Sequence, residues 1–378
     1  MQKTCHIVFT TINHPEILND LYANASKYGH LDDVKVWVVG DRKTPASAAS
    51  LAREISQRGL ETVYFDVTQQ DDWGGDFPFY STVPYNTDGR RVLGYLKALE
   101  EGCALLISID DDNFPSDDDF IGHHKNTGRE WEGDLIRETQ RFHNVCEYLT
   151  FEPQRLVYPR GFPFEIRGQF NKADSIHRVH KVRIGVKAGL WLGEPDVDAT
   201  TWLNGRIKAT TYNGPDTIVL DQSTWSPVNT QNTSVVRDLI PAFIFVIMGC
   251  SVPGGKLDRY GDIWGGYFLL ALMQGTPFHV AFGRPLVDHR RNPHNYVDDM
   301  RFEFWGVVLT DWLLHSLRTD FAPSSDGILD RVLELAEFVE SRAAKNLPAW
   351  CPVEIKQFLQ LTADRMRLWA SACKQIGI

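Results

Sequence analysis

LLISIDDDNFPSDDDF, residues 105–120, carries a short apolar run into three consecutive aspartates and, after four further residues, three more. What precedes it decides how it is read. In GRRVLGYLKALEE (89–101), Val92, Leu93, Leu96 and Leu99 fall on one helical face, and Gly102 stops the helix before the apolar run begins. Further upstream, HIVFTT (6–11), VKVWVVGD (34–41) and ETVYFDV (61–67) read as strands, and PEILNDLYANASKYG (15–29) and PASAASLAREISQRG (45–59) read as helices. Short gaps in a βαβαβ alternation predict a parallel sheet covered by helices. The aspartates therefore stand at the carboxyl end of a central strand, where open α/β sheets bind their ligands.

Composition bounds the remaining choices. The chain has 378 residues, 43% hydrophobic and 23% charged, which supplies ample core for a globular α/β protein. A formal net charge of −10, with no basic stripe, argues against nucleic acid as a partner. Six widely spaced cysteines form no CxxC pair, so reduced thiols and a cytoplasmic location are expected. The apolar stretch near the N-terminus is too short for a signal peptide, and LIPAFIFVIMG (239–249) is too short to span a bilayer. An integral membrane protein is not expected.

Asp117, Asp118 and Asp119, in SDDDF, read as cap and turn residues. Asp110, Asp111 and Asp112 read differently, because adjacent carboxylates after a buried strand repel one another and call for a cation. A hard divalent ion (Mn2+ or Mg2+), held by one or two carboxylates and by substrate phosphates, meets that need. The tripeptide resembles the D-x-D motif of nucleotide-sugar glycosyltransferases of the GT-A fold.

Longer strings extend the likeness. RRVLGYLKA, SIDDDNF, YPRGFPFEIR (158–167), VKAGLWLGEPDVDATT (186–201), LIPAFIFVIMG, DRYGDIWGGYF (258–268) and VDHRRNPHNYV (287–297) occur in the order in which similar strings occur in the reversibly glycosylated polypeptides. That family includes the plant UDP-arabinopyranose mutases. The resemblance implies a GT-A-like α/β fold with a mainly parallel, Rossmann-like sheet, a divalent metal and a UDP-sugar or similar donor.

It also implies roles for individual residues. Asp110, Asp112 and His289 would hold the metal, with Asp111 between the carboxylates in the donor pocket; a second role for His289 as an ordinary polar neighbour stays open. Asp262, within DRYGDIWGG, matches the acidic position that acts as base on an acceptor hydroxyl; a helix cap or a partner for Arg259 is the other reading, and Asp258 is the competing base. The following IWGGY suggests a helix start with an aromatic platform and glycines that let the backbone approach a sugar. Arg160 aligns with the arginine that the mutases glycosylate reversibly, and reads equally as a diphosphate clamp or an ion-pair partner. Arg91 reads as a phosphate or uracil contact, or as helix-surface charge. Thr10, Thr11, Ile12 and Asp41, at the ends of the first two strands, occupy the positions expected for uridine contacts. Gly189, Leu190, Trp191, Asp196 and Asp198 belong to a segment that lines the sugar site in the family, where an aromatic ring and carboxylates suit a polyhydroxylated ring. For Trp191, burial in the core is the alternative.

The expected organisation is a GT-A-like catalytic domain over 1–320, nucleotide-binding to about 125 and sugar- and acceptor-binding from 126, followed by a helical extension over 321–378. The extension is helix-periodic, with Leu329, Val332, Leu333, Leu335, Ala336 and Val339 on its first apolar face, suited to packing on the catalytic domain or to a homo-oligomer contact. Asn113 stands where the family has cysteine, and WSPVNTQNTSVVRD (225–238) departs from the family pattern. These departures place metal-dependent transfer from a nucleotide-sugar donor to a hydroxyl acceptor first. A UDP-sugar pyranose/furanose mutase comes second, and a catalytically silent nucleotide-sugar-binding scaffold third.

Overall fold

Four parallel strands open the chain: β1 (Cys5–Thr10), β2 (Val34–Val39), β3 (Thr62–Phe65) and β4 (Leu105–Ile109). They align in the order β3-β2-β1-β4. In this computed structural model the described residues are 3–169 and 174–378, with backbone alone at 174–180. Every residue of β2 and of β4 is buried, as expected for parallel strands covered on both faces. The covering helices are α1 (Ile17–Tyr28), α2 (Ser47–Gln57), α3 (Val67–Gly74) and α4 (Arg91–Glu100). Val92, Leu93, Leu96 and Leu99 of α4 are all buried, and Gly102 follows the helix at φ 75°.

Beyond β4 the sheet changes character. The short strand β5 (Asn113–Pro115) and helix α5 (Phe120–His124) come next; Asp119 caps α5 by accepting the Gly122 N–H at 2.8 Å, so the second aspartate triplet ends as a cap. Four strands follow, β6 (Glu130–Arg137), β7 (Leu149–Glu152), β8 (Asp174–Gly193) and β9 (Lys208–Tyr212), with α6 (Ala199–Leu203) between the last two. After β10 (Thr217–Val219), strand β11 (Asn232–Val236) lies antiparallel between β4 and β8. A hairpin of β12 (Cys250–Val252) and β13 (Gly255–Leu257) precedes α7 (Gly261–Leu272) and β14 (Phe278–His289). β14 runs parallel to β8, and its last three residues pair antiparallel with β5, His289 opposite Asn113. The expected α/β architecture is thus observed, a parallel first half joined through β11 to a mixed second half.

Three helices complete the chain: α8 (Tyr296–Thr319), α9 (Ile328–Phe338) and α10 (Val353–Gln375). α9 buries Leu329, Val332, Leu335 and Ala336. On α10, Trp369 packs against Phe79 and donates its indole N–H to the Pro241 carbonyl at 2.8 Å, while Phe358 meets Trp264. Arg331 of α9 donates to the Leu272 and Gln274 carbonyls at the end of α7, where orphan carbonyls accept a cation well. The C-terminal helices therefore share one core with the sheet. Among the described residues no helix is long and apolar enough to cross a membrane, and all six cysteines are free.

One expectation needs correcting. α7 is buried along its whole length, and Trp264 is fully enclosed with its N–H on Thr310. It is no sugar platform. The neighbouring glycines serve helix packing: a Cβ on Gly265 would lie 1.9 Å from the Ile244 carbonyl oxygen, and one on Gly266 1.8 Å from that of Val228.

Candidate functional site

Parallel β1 and β4 end side by side, and the chain leaving each forms one wall of a cleft of about 220 Å3. Thr10, Thr11 and Ile12 come from β1, Asp110, Asp111 and Asp112 from β4, and Arg91 from the start of α4. Asn86, Thr87 and Asp88 close one side and Asn292 the other.

The three carboxylates are held in three different ways. Asp110 pairs with the buried Arg91, Oδ1 to Nη1 at 2.6 Å. Arg91 also donates to the carbonyls of Asp88 at 3.0 Å and Thr230 at 3.1 Å, so it is a fixed internal cation rather than a surface charge. Asp111 accepts the Thr11 hydroxyl at 2.5 Å. Asp112 faces His289, Oδ2 to Nε2 at 3.5 Å. The pairing of β5 with β14 makes that last contact, reinforced by the Arg290 N–H on the Asp112 carbonyl at 2.9 Å.

Burial sets the electrostatics. It pushes Asp110 above the usual carboxylate range, with Arg91 opposing and Asp112 adding to the rise. It pushes Asp111 up to about 6, against the Thr11 hydrogen bond. At Asp112 burial also acts upward, but the His289 ring and the Arg291 guanidinium outweigh it and hold the group below the usual range. Asp41 stands behind the wall: its carboxylate accepts the Asn86 N–H at 2.6 Å and the Arg42 N–H at 2.7 Å, fixing the loop that lines the cleft.

A second cluster adjoins the first. Arg160 grips Asp262 with two N–H groups, Nη2 to Oδ2 at 2.6 Å and Nη1 to Oδ1 at 3.2 Å, and donates Nε to Asp196 Oδ1 at 2.9 Å. Nη1 also donates to the Arg259 carbonyl. Asn229 donates to the other Asp196 oxygen at 2.9 Å. Trp191 is buried and, with Arg160, Asp196 and Asn229, lines a small enclosed cavity of about 30 Å3. Asp198 lies deeper, accepting from Tyr260, Arg167 and the Gly161 N–H, so it shapes the Arg160 loop from behind. Arg259 pairs with Glu303 at 3.0 Å; the partner of Asp262 is Arg160. Asp258 accepts the Arg259 N–H at 2.9 Å.

The two clusters share one field. Arg291 and His289 help to hold Asp196 in its ionised form, behind the larger effect of Arg160, and Asp110 adds to the upward push on Asp262. Burial is the main cause at Asp262 and raises it to about 6 in spite of Arg160. A carboxyl group raised on folding stabilises the fold fully below its unfolded value and loses that contribution as pH rises through the folded value. Urea unfolding of wild type and Asp262→Asn should therefore diverge with pH. Relative to wild type, the amide variant gains roughly 2 kcal/mol between pH 4 and pH 8. A pH-independent difference would contradict this burial.

Sequence reasoning passed over three groups here. Arg291 is buried, with Nη1 lacking a hydrogen-bond partner, yet in HRRNP it looks like its exposed neighbour Arg290. Gln231 lies 3.2 Å from the His289 ring, and Asn229 holds Asp196; both come from the segment 225–238, whose sequence shows only a departure from the family pattern. Among the described residues no three side chains stand in a ready coordinating group. The carboxylate and imidazole pair Asp112 and His289 nevertheless fits a divalent ion that takes its other ligands from diphosphate oxygens and water.

Comparison with known proteins agrees with the named strings. The chain is 25% identical over 311 residues to UDP-arabinopyranose mutase 1 of Oryza sativa subsp. japonica, covering 79% of this chain and 75% of that one. It is 23% identical over 302 residues to UDP-arabinopyranose mutase 2 of Arabidopsis thaliana, covering 79% and 76%. Among solved structures it is similar, with a TM-score of 0.37 and 10% identity over 99% of this chain and 74% of the other, to a mannosyltransferase of Pyrobaculum calidifontis in complex with GDP-Man and Mn2+. The model of the family described as reversibly glycosylated polypeptide matches residues 77–377, most of the chain, including Asp110–Asp112 and the Arg160 cluster but not Thr10–Ile12, and the protein belongs to that family.

Proposed function

We propose that this chain is a UDP-sugar enzyme that interconverts pyranose and furanose forms of a nucleotide-linked sugar. The observation that carries the choice is the Arg160–Asp262 pair. A base for an incoming acceptor hydroxyl needs a carboxylate lone pair within hydrogen-bond reach of it. Both Asp262 oxygens lie on Arg160, and the group is buried. Asp262 thus orients an arginine, whereas transfer would need it turned toward an acceptor. This ordering reverses the one drawn from the sequence, and the names of the relatives support it. Transfer to a hydroxyl acceptor stays as the second reading, because the same donor cleft would serve it.

In this reading Thr10, Thr11 and Ile12 flank the nucleoside, while Arg91 and Arg291 face the diphosphate. Asp112 and His289 would hold Mn2+ or Mg2+, with Asp110 and Asp111 at its edge. Such an ion, when bound, offsets the charge of the diphosphate as leaving group. Arg160, Asp196 and Asn229 present donors and acceptors to the sugar hydroxyls.

Incubating the protein with UDP-arabinopyranose and Mn2+, and resolving the nucleotides chromatographically, tests the proposal. Conversion to UDP-arabinofuranose without net UDP supports it. UDP release that depends on an added sugar acceptor would instead establish transfer. UDP binding with neither reaction would leave a scaffold.

A further inference from the structure

Outside these clusters a cleft of about 800 Å3 opens between the chain following β6, the 222–225 turn and the end of α8. Its walls include Arg141, Arg318, Trp225, Ser223 and Phe321. Arg318 is half-buried, with its guanidinium 4.7 Å from the Trp225 ring centroid and 5.2 Å from that of Phe142. It donates to the carbonyls of Ser223 at 2.8 Å and Arg141 at 3.4 Å, which accounts for two of its five N–H groups.

The charge balance here differs from that of the donor cleft. Arg91 and Arg160 each face a carboxylate, but among the described residues neither Arg318 nor Arg141 does. Glu138, on the rim, is turned to His143 at 2.8 Å. Burial, and then the neighbouring Arg141, lower the affinity of Arg318 for its proton, to a pKa of about 10. Two cations side by side without an anion are unfavourable, and in a chain of net charge −10 nothing general requires them.

We infer that this cleft is an accessory binding site for a small phosphate ester. Arg141 and Arg318 take the phosphate, and Phe321, Ala322 and Pro323 supply an apolar wall for the organic part. Planar guanidinium groups bind phosphate in a bidentate manner, and the volume accommodates a phosphorylated sugar. The floor is rigid, since Gln222 is fixed by the carbonyls of Met273, Thr276 and Phe278. Trp225 also stacks on Tyr267, whose hydroxyl donates to the Gly161 carbonyl at 2.9 Å, so an occupant would rest against the layer behind the Arg160 loop.

Calorimetric titration of the full chain with glucose 1-phosphate tests this. Arg141 is exposed, so Arg141→Gln leaves the fold intact. The expected result is saturable binding that weakens roughly tenfold or more in Arg141→Gln, the loss of one charge-assisted contact, and recovers in part in Arg141→Lys. Equal affinity in wild type and Arg141→Gln, or no binding at millimolar ester, overturns the inference. So does sedimentation showing that the Arg141→Gln change instead abolishes self-association, which would make the cleft a contact between copies of the chain.

Discussion

Asp112→Ala is expected to weaken Mn2+-dependent UDP binding by at least roughly a hundredfold, since even partners one layer removed from a metal are worth ten- to a hundredfold. The change removes one of the two side chains that face each other at 3.5 Å while sparing the backbone pairing around them, because the Arg290 N–H bonds the Asp112 carbonyl and not its carboxylate. Binding measured with and without Mn2+, together with a circular dichroism spectrum, separates lost ligation from lost fold. Wild-type affinity in the variant would remove Asp112 from the metal site. A uniform loss with and without metal would assign it to the nucleotide instead.

Arg160→Met should be the most damaging single change to stability outside the apolar core, by about 3–5 kcal/mol. It leaves Asp196 and Asp262 buried without their shared cation. That is a large part of the 5–15 kcal/mol that typically holds a domain together. The same reasoning predicts relief: adding Asp262→Asn to Arg160→Met should recover part of the loss, because it removes one of the two stranded charges. Urea unfolding of the four proteins in this cycle gives the coupling. A loss below about 1 kcal/mol in Arg160→Met would mean that the carboxylates reach water or another partner when the arginine is gone.

The parallel half of the fold was legible because its signals are local. Each strand is a short apolar run between turn residues, and the α4 face repeats at helical spacing. The aspartates at the end of β4 were legible for the same reason, since an apolar run ending in like charges has few explanations. His289 could be named through resemblance, but its contact with Asp112 depends on β14 reaching β5, which no local pattern encodes. Arg91 illustrates the limit: in RRVLGYLKA it is the first residue of an amphipathic helix, and only the three-dimensional approach of Thr230 and Asp110 makes it a buried cation. Trp264 was misread because an aromatic ring beside glycines suits both a sugar platform and a tightly packed helix. The difference lies in the Ile244 and Val228 carbonyls pressed against those glycines. Arg290 and Arg291 share an identity and a neighbourhood, so only the turn of the chain after β14 decides which one is buried.

The three-residue seam between β5 and β14 has a consequence for how the molecule is made. Its partners are far apart in the chain, so closing it carries a loop entropy that the seam's few backbone hydrogen bonds repay only after the intervening strands have docked. A chain folded through β4 alone holds the aspartates but not the histidine, and affinity for a metal–nucleotide complex should emerge late in folding. The ligand would then bind the finished protein in preference to its precursors and draw the folding equilibrium forward by mass action.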